Sequence, residues 1–457
     1  MFELGRELKR FFSPERAKAP SDGLTGGDSS LLELLDSQLL AQEAKACDVA
    51  AGRISAKDKP RRRLEAAIVW REVARRTGDA VALRKAAAGA ETAAAGFEAA
   101  HRKDGWARAR CEQAFCALLG AEIFGDPGLN AAAEVAFKDA RVSVKGGLAA
   151  PLADVGLIAI EGRRLLDSAD AAEAWALVGR FTQPITALDL IAKRVAAARA
   201  LAAEARLIRA DLLAGFGARL KDADLIDAAA LEAATAAERL DNAYEPLTWV
   251  RAKIAHGQAL ALKGEAIGDV DALAAGAGAL AMALDNLTRD HSPLDWARTQ
   301  IALAQALQAL GETSSDARAF EHAVSCYQRA DLVLRDTPTL PLRGQAAGAR
   351  AVCLARSAEI TGDAAVLDAA EAAMKIELSR LSPRKDPVGW ALAQLHLARL
   401  YEARMGMTGV DSGERAGALM ALEAALDVFA EHGLRSLSVL AADAVERMTA
   451  SAVNDRS

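Results

Sequence analysis

The residues through which this chain could do chemistry are six histidines, five cysteines and a set of arginines and glutamines that recur at fixed distances. A metal centre needs ligands that converge at short spacing. His101, His256, His291, His322, His396 and His432 are scattered, with no H-x-x-x-H pair and no metal-type carboxylate arrangement. Cys47, Cys111, Cys116, Cys326 and Cys353 are odd in number and include no C-x-x-C. That argues against a zinc site and a disulfide framework, and for a reducing compartment. There is no phosphate-binding G-x-x-x-x-G-K-[ST] loop, no G-x-S-x-G elbow and no G-x-G-x-x-G turn after a strand. The expectation is no catalytic residue, no metal and no cofactor, hence not an enzyme. What remains is recognition. Arg108, Arg251, Arg298 and Gln345 form one recurrent position, and Gln258, Gln305 and Arg399 form another. Guanidinium forks bind carboxylates through paired hydrogen bonds, so such a ladder suits an extended acidic segment.

Helices must position these residues. Roughly a quarter of the 457 residues are alanine, and only 4% are aromatic. Alanine is the best helix former and strands favour β-branched and aromatic residues, so the chain is expected to be all-α. A hydrophobic content of 52% is too high for wholesale disorder, and no apolar run is long enough to span a membrane. The formal charge of −6 argues against a nucleic-acid partner. Arg61, Arg62 and Arg63, with Lys57 and Lys59, make one basic cluster, but it is short and has no interleaved aromatics.

The helices repeat. Trp249 and Trp296 lie 47 residues apart, and Trp390 lies twice that distance beyond Trp296. An aspartate that opens a helix recurs at Asp79, Asp126, Asp222, Asp269, Asp316 and Asp363, with Asp170 and Asp411 continuing the series. This spacing predicts eight units of about 47 residues, the third (150–198) being the least regular. Within 292–338, Ser292 and Asp295 make a capping-box pattern and Pro293 suits the first helical position. The first helix then carries Trp296, Ile301, Leu303, Leu307 and Leu310 on one face, and Gly311 is expected to end it. A second helix from Ser315-Asp316 turns Phe320, Ala323, Tyr327, Ala330 and Leu334 inward, until Asp336-Thr337-Pro338 breaks it.

These units resemble the tetratricopeptide (TPR) family. Leu303-Ala304 with Leu307, and Leu397-Ala398 with Tyr401, are similar to its L-G-x-x-Y, and Ala323, Tyr327 and Ala330, like Ala133, Phe137 and Ala140, are similar to its A-x-x-x-F-x-x-A. The unit is longer than the family's. The resemblance implies an α-α superhelix, a right-handed solenoid of about eight antiparallel hairpins that serves as a protein-interaction scaffold. It also implies that the first helices line a concave groove. The positions two and nine residues after each tryptophan, which are the Arg and Gln ladder, would then face a protein or peptide partner.

The expected organisation is a short amphipathic helix at 1–12, a flexible linker at 13–30, a capping helix at 31–58, the repeats at 59–433, and a C-terminal capping helix and tail at 434–457. Leu4, Leu8, Phe11 and Phe12 share one face of the first helix. That face would dock on a membrane surface, on a partner or on the chain's own repeats. The acidic N-terminus lacks the pattern of a signal peptide, which points to the cytoplasm. The expected function is an adaptor that binds a peptide or protein segment. The alternatives are a sensor of a small peptide or metabolite, and an accessory subunit of a secretion or envelope-assembly machine.

Overall fold

The computed structural model describes Leu24 and residues 29–53, 57–193, 198–335, 341–384 and 386–454. Among these residues the regular structure is helical and there is no strand. The chain divides into two compact units, Met1–Thr299 and Gln300–Ser457. The first contains α1 (Ser30–Glu33), α2 (Ser37–Gly52), α3 (Lys59–Thr77), α4 (Ala80–Ala99), α5 (Lys103–Phe124), α6 (Gly128–Ser143), α7 (Ala149–Leu165), α8 (Ala171–Gly179), α9 (Thr182–Ala192), α10 (Arg199–Leu220), α11 (Ala223–Glu238), α12 (Pro246–Ile267) and α13 (Val270–Asp285). Helix α14 (Pro293–Ser314) begins in the first unit and ends in the second. The second unit continues with α15 (Ala317–Leu334), α16 (Pro341–Thr361), α17 (Ala365–Arg380), α18 (Pro387–Thr408), α19 (Glu414–Glu431) and α20 (Arg435–Asn454).

Within each unit consecutive helices pack as hairpins, and the first helix of a pair also touches the first helix of the next. Five of the eight recurrent aspartates act as expected, while Asp126, Asp363 and Asp411 stand one or two residues ahead of the N-cap positions of their helices. Asp79, Asp222, Asp269 and Asp316 are N-caps whose carboxylates accept backbone N–H groups of the first turn, and Asp170 forms a complete capping box with Glu173. The inward residues of α15, from Phe320 to Leu334, are buried. Alanine lets helix backbones approach, and Phe97, Phe137 and Phe429 fill the gaps between hairpins.

Four expectations change. The segment assigned to one capping helix is two: it breaks at Leu34–Asp36, and the Asp36 side chain caps α2 by accepting from the Leu39 N–H. The second helix of the irregular third pair is also split, into α8 and α9. Gly311 does not end its helix, which runs on to Ser314; a Cβ at Gly311 would stand 2.7 Å from the Phe320 ring, so this glycine allows a close approach. Ser292 and Asp295 do not cap reciprocally, because the Ser292 hydroxyl donates to the Asp295 carboxylate, which also binds Arg251. Helix 1–12, with Leu4, Leu8, Phe11 and Phe12, lies outside the described residues.

Two glycines of α13 test the packing argument. A Cβ at Gly276 would stand 2.6 Å from the Ala261 backbone nitrogen and 2.8 Å from the Gly257 carbonyl of α12, whereas Gly278 faces open space. Gly276→Ala is expected to lower stability by about 2–3 kcal/mol through forced separation of the two helices. Gly278→Ala is expected to raise it by about 0.5–1 kcal/mol through helix propensity. Urea unfolding midpoints check both.

Candidate functional site

The polar centre of the first unit grows from one helical face. Glu72, Arg75 and Arg76 follow one another at i, i+3 and i+4 on α3, which places them side by side. Arg76 is fully buried. Its Nε donates to Glu72 at 2.8 Å, and its two terminal nitrogens donate to the Leu35 and Leu32 carbonyls at 2.7 and 3.0 Å. Helix α12 brings Arg251, which donates to Asp295 through Nε at 3.0 Å and Nη2 at 2.7 Å and lies 3.4 Å from Glu72. Arg75 pairs with Glu204 of α10, and Glu112 of α5 accepts from both Arg71 and Arg108. Burial works against the Glu72 and Asp295 charges, but the surrounding arginines, Arg251 first, hold both carboxyls below their ordinary values.

A segment of the chain itself lies against this face. Glu33 is 4% exposed and its carboxyl sits on the N-terminus of α12. One oxygen accepts the Leu247 and Thr248 N–H groups at 3.0 Å each, and the other accepts the Thr248 hydroxyl at 2.6 Å. Burial pushes the Glu33 carboxyl up to about 7, against the opposing pull of Thr248 and Arg251. The Glu33 carbonyl can only accept, so His291, 2.6 Å away, donates from Nε2. The Ser37 N–H donates to the Asp290 carbonyl. Five arginines (Arg71, Arg75, Arg76, Arg108 and Arg251) meet four carboxylates from the surrounding elements (Glu72, Glu112, Glu204 and Asp295), and Glu33 supplies the fifth. The segment leaves a residual cavity of about 40 Å³ lined by Leu24, Leu32, Glu33 and all five arginines. The Arg108 Nε is buried there without a partner.

The Arg and Gln ladder divides. Arg108 and Arg251 belong to this cluster, and Arg298 pairs with Glu122 at 2.7 Å. In the second unit Arg399 pairs with Glu402 at 3.3 Å and lies 3.6 Å from Glu359. Gln258, Gln305 and Gln345 are exposed. The four arginines therefore already hold the chain's own carboxylates, as do Arg61 and Arg62 with Glu65, and Arg63 with Asp48. His256 is half-buried, with Nδ1 3.0 Å from the Ala230 carbonyl; the five cysteines are buried, and Cys111, Cys116, Cys326 and Cys353 are free thiols. Among the described residues no group of His, Cys, Asp and Glu could hold a metal ion. Sequence reasoning missed Glu33, Thr248 and three arginines of α3, Arg71, Arg75 and Arg76. The available signal was Glu72 one turn ahead of Arg75-Arg76 at the end of α3, a spacing that pairs them on one face.

The second unit holds a separate cavity of about 170 Å³ between α15, α16 and α17. It is lined by Tyr327, by Arg343, Arg350 and Arg380 with Asp331 and Glu377, and by apolar side chains.

No protein-family model matches the chain, and no curated protein matches it. Solved structures do. A Rap protein complexed with competence and sporulation factor is 10% identical, covers 90% of this chain and 99% of its own, and superposes with a TM-score of 0.44. Aspartyl phosphate phosphatase F from Bacillus subtilis is 12% identical, covers 91% and 95% respectively, and has a TM-score of 0.36. The P58(IPK) TPR domain is 17% identical, covers 90% and 98%, and has a TM-score of 0.19.

Proposed function

We propose that this protein is a non-enzymatic interaction scaffold of the cytoplasm, which binds a carboxyl-bearing polypeptide segment on the inner face of its first unit. The observation that carries this reading is the seating of Glu33 on α12, across 214 residues of sequence. The carboxyl meets three donors, and Arg76 of α3 grips the two carbonyls that flank it, Leu32 and Leu35. This recognises main chain and carboxyl together, as a site for an extended or single-turn segment does. The chain's own Ser29–Asp36 is the resident occupant, and a partner would enter by replacing it. Buried free thiols suit a reducing compartment, and among the described residues no helix is long and apolar enough to cross a membrane.

The test is a labelled peptide of sequence Ser-Leu-Leu-Glu-Leu-Leu-Asp-Ser, whose first residue corresponds to Ser30 and whose carboxyl anchor corresponds to Glu33. A tethered segment competes at a millimolar effective concentration, so the wild type should exclude the peptide. Glu33→Ala removes the tethered anchor, and fluorescence anisotropy should then show binding at least tenfold tighter. Adding Thr248→Val should abolish that gain. Equal binding to wild type and Glu33→Ala, or none to a folded Glu33→Ala chain, would overturn the reading.

A further inference from the structure

The cavity of the second unit collects unsatisfied donors. The Tyr327 hydroxyl, Arg343 Nε and Arg350 Nε are each buried without a hydrogen-bond partner, and all three residues line this one space. A buried polar group left unpaired is costly, so three around one cavity require an explanation. Packing does not explain the hydroxyl. Tyr327 stands eleven residues after Asp316, as Phe137 stands eleven after Asp126, each four residues after an alanine, and both rings are buried. Phe137, and at the same distance from their aspartates Ala90 and Leu422, fill this position with purely apolar side chains, and here an oxygen is added.

We propose that this cavity binds a small aliphatic carboxylate, whose oxygens take the Tyr327 hydroxyl and the Nε–H groups of Arg343 and Arg350. The two guanidinium nitrogens can only donate, so the ligand must offer acceptors. Three arginines (Arg343, Arg350 and Arg380) and two carboxylates (Asp331 and Glu377) line the space, an excess of one positive charge that one monoanion neutralises. Arg343 is itself anchored by Glu377 at 3.1 Å, which presents its Nε in a fixed direction. Leu334, Leu354 and Met374 contribute apolar wall for the ligand's hydrocarbon end. About 170 Å³ is the room of roughly six waters, which fits a short acid. Burial pushes the Tyr327 phenol far up, so it remains a protonated donor.

Calorimetry and thermal melting of the full chain with valerate, pentanol, inorganic phosphate and the tripeptide Gly-Gly-Val test this. Valerate should bind saturably and raise the melting temperature, while pentanol and phosphate should do neither. Tyr327→Phe should raise the ligand-free melting temperature by about 2 °C, because an unpaired buried hydroxyl is removed, and should weaken valerate at least tenfold. Arg350→Leu should weaken valerate similarly. No saturable valerate binding to the wild type would overturn the proposal, because water alone then fills the cavity. Unchanged affinity in both variants, or tighter binding of Gly-Gly-Val than of valerate, would also overturn it.

Discussion

Replacing Arg251 by glutamate is expected to unfold the first unit under conditions where the wild type is folded. The guanidinium is 10% exposed and holds Asp295 by two hydrogen bonds while lying 3.4 Å from Glu72. Its removal leaves the buried Asp295 carboxylate without the guanidinium that holds it and takes from Glu72 one of its three neighbouring arginines, a loss of about 3–5 kcal/mol for Arg251→Met. Arg251→Glu costs more, since a third carboxylate enters the same space. Most single domains have only about 5–15 kcal/mol in total. Arg399→Glu is the control: that side chain is 35% exposed, and its pairs with Glu402 and Glu359 contribute about 1 kcal/mol or less. Urea unfolding followed by tryptophan fluorescence checks both. A shift of less than about 1 kcal/mol for Arg251→Glu would show that the cluster is solvated and exchangeable. Acid should act in the same direction as the mutation. Glu72 and Asp295 have carboxyls held low in the folded state, so the stability they contribute is complete above the ordinary carboxylate range and is lost progressively as pH falls from that range to their lower folded-state values. A charge-reversal experiment on Arg251 therefore reports the integrity of the unit before it reports any partner.

The reason this was not legible in the sequence is specific. Helix type, helix starts and the inward face of α15 follow from local patterns: Asp316 three residues ahead of Ala319, or Phe320 three ahead of Ala323 in the Ala323–Tyr327 pair, are short-range signals. The ladder positions were also legible, as arginine recurring two residues after tryptophan. What those arginines touch is decided by long-range packing. Arg251 meets Glu72 across 179 residues, and Arg75 meets Glu204 across 129. Arg108 and Arg399 had visible partners, Glu112 at i+4 and Glu402 at i+3, and those spacings gave a reason to read the ladder as internally paired. Glu33 lay in a segment expected to be a plain capping helix. Its break at Leu34–Asp36 follows from Asp36 capping the next helix, while its hold on α12 has no sequence signature. Tyr327 was legible as a spacer, but a hydroxyl without a partner is visible only once its neighbours are placed.

The docking of Ser29–Asp36 should loosen as pH rises through neutrality, and Glu33→Gln should remove that dependence. The Glu33 carboxyl has an ordinary value of 4.5 when undocked and about 7 when seated. Between those values the docked form keeps a proton that the undocked form has lost, so docking favours proton uptake and weakens as protons are withdrawn. The effect is complete below about 4.5, shrinks across the interval and is constant above about 7. Its size is at most on the order of 3 kcal/mol, since each tenfold difference in proton affinity between the two forms is worth about 1.4 kcal/mol. Hydrogen exchange at the amides of residues 29–36, corrected for the intrinsic pH dependence of exchange, should show protection falling from pH 5 to pH 8. Glutamine is neutral and keeps a carbonyl oxygen for the Leu247 and Thr248 N–H groups, so Glu33→Gln should remain docked with protection flat over the same range. Glu33→Ala should be unprotected at every pH, since it leaves those N–H groups and the Thr248 hydroxyl without their acceptor. If wild type and Glu33→Gln share one pH profile, the carboxyl is not what titrates. If Glu33→Ala stays protected, Arg76 and His291 alone hold the segment, and the inner face is a closed structural joint with no place for a partner.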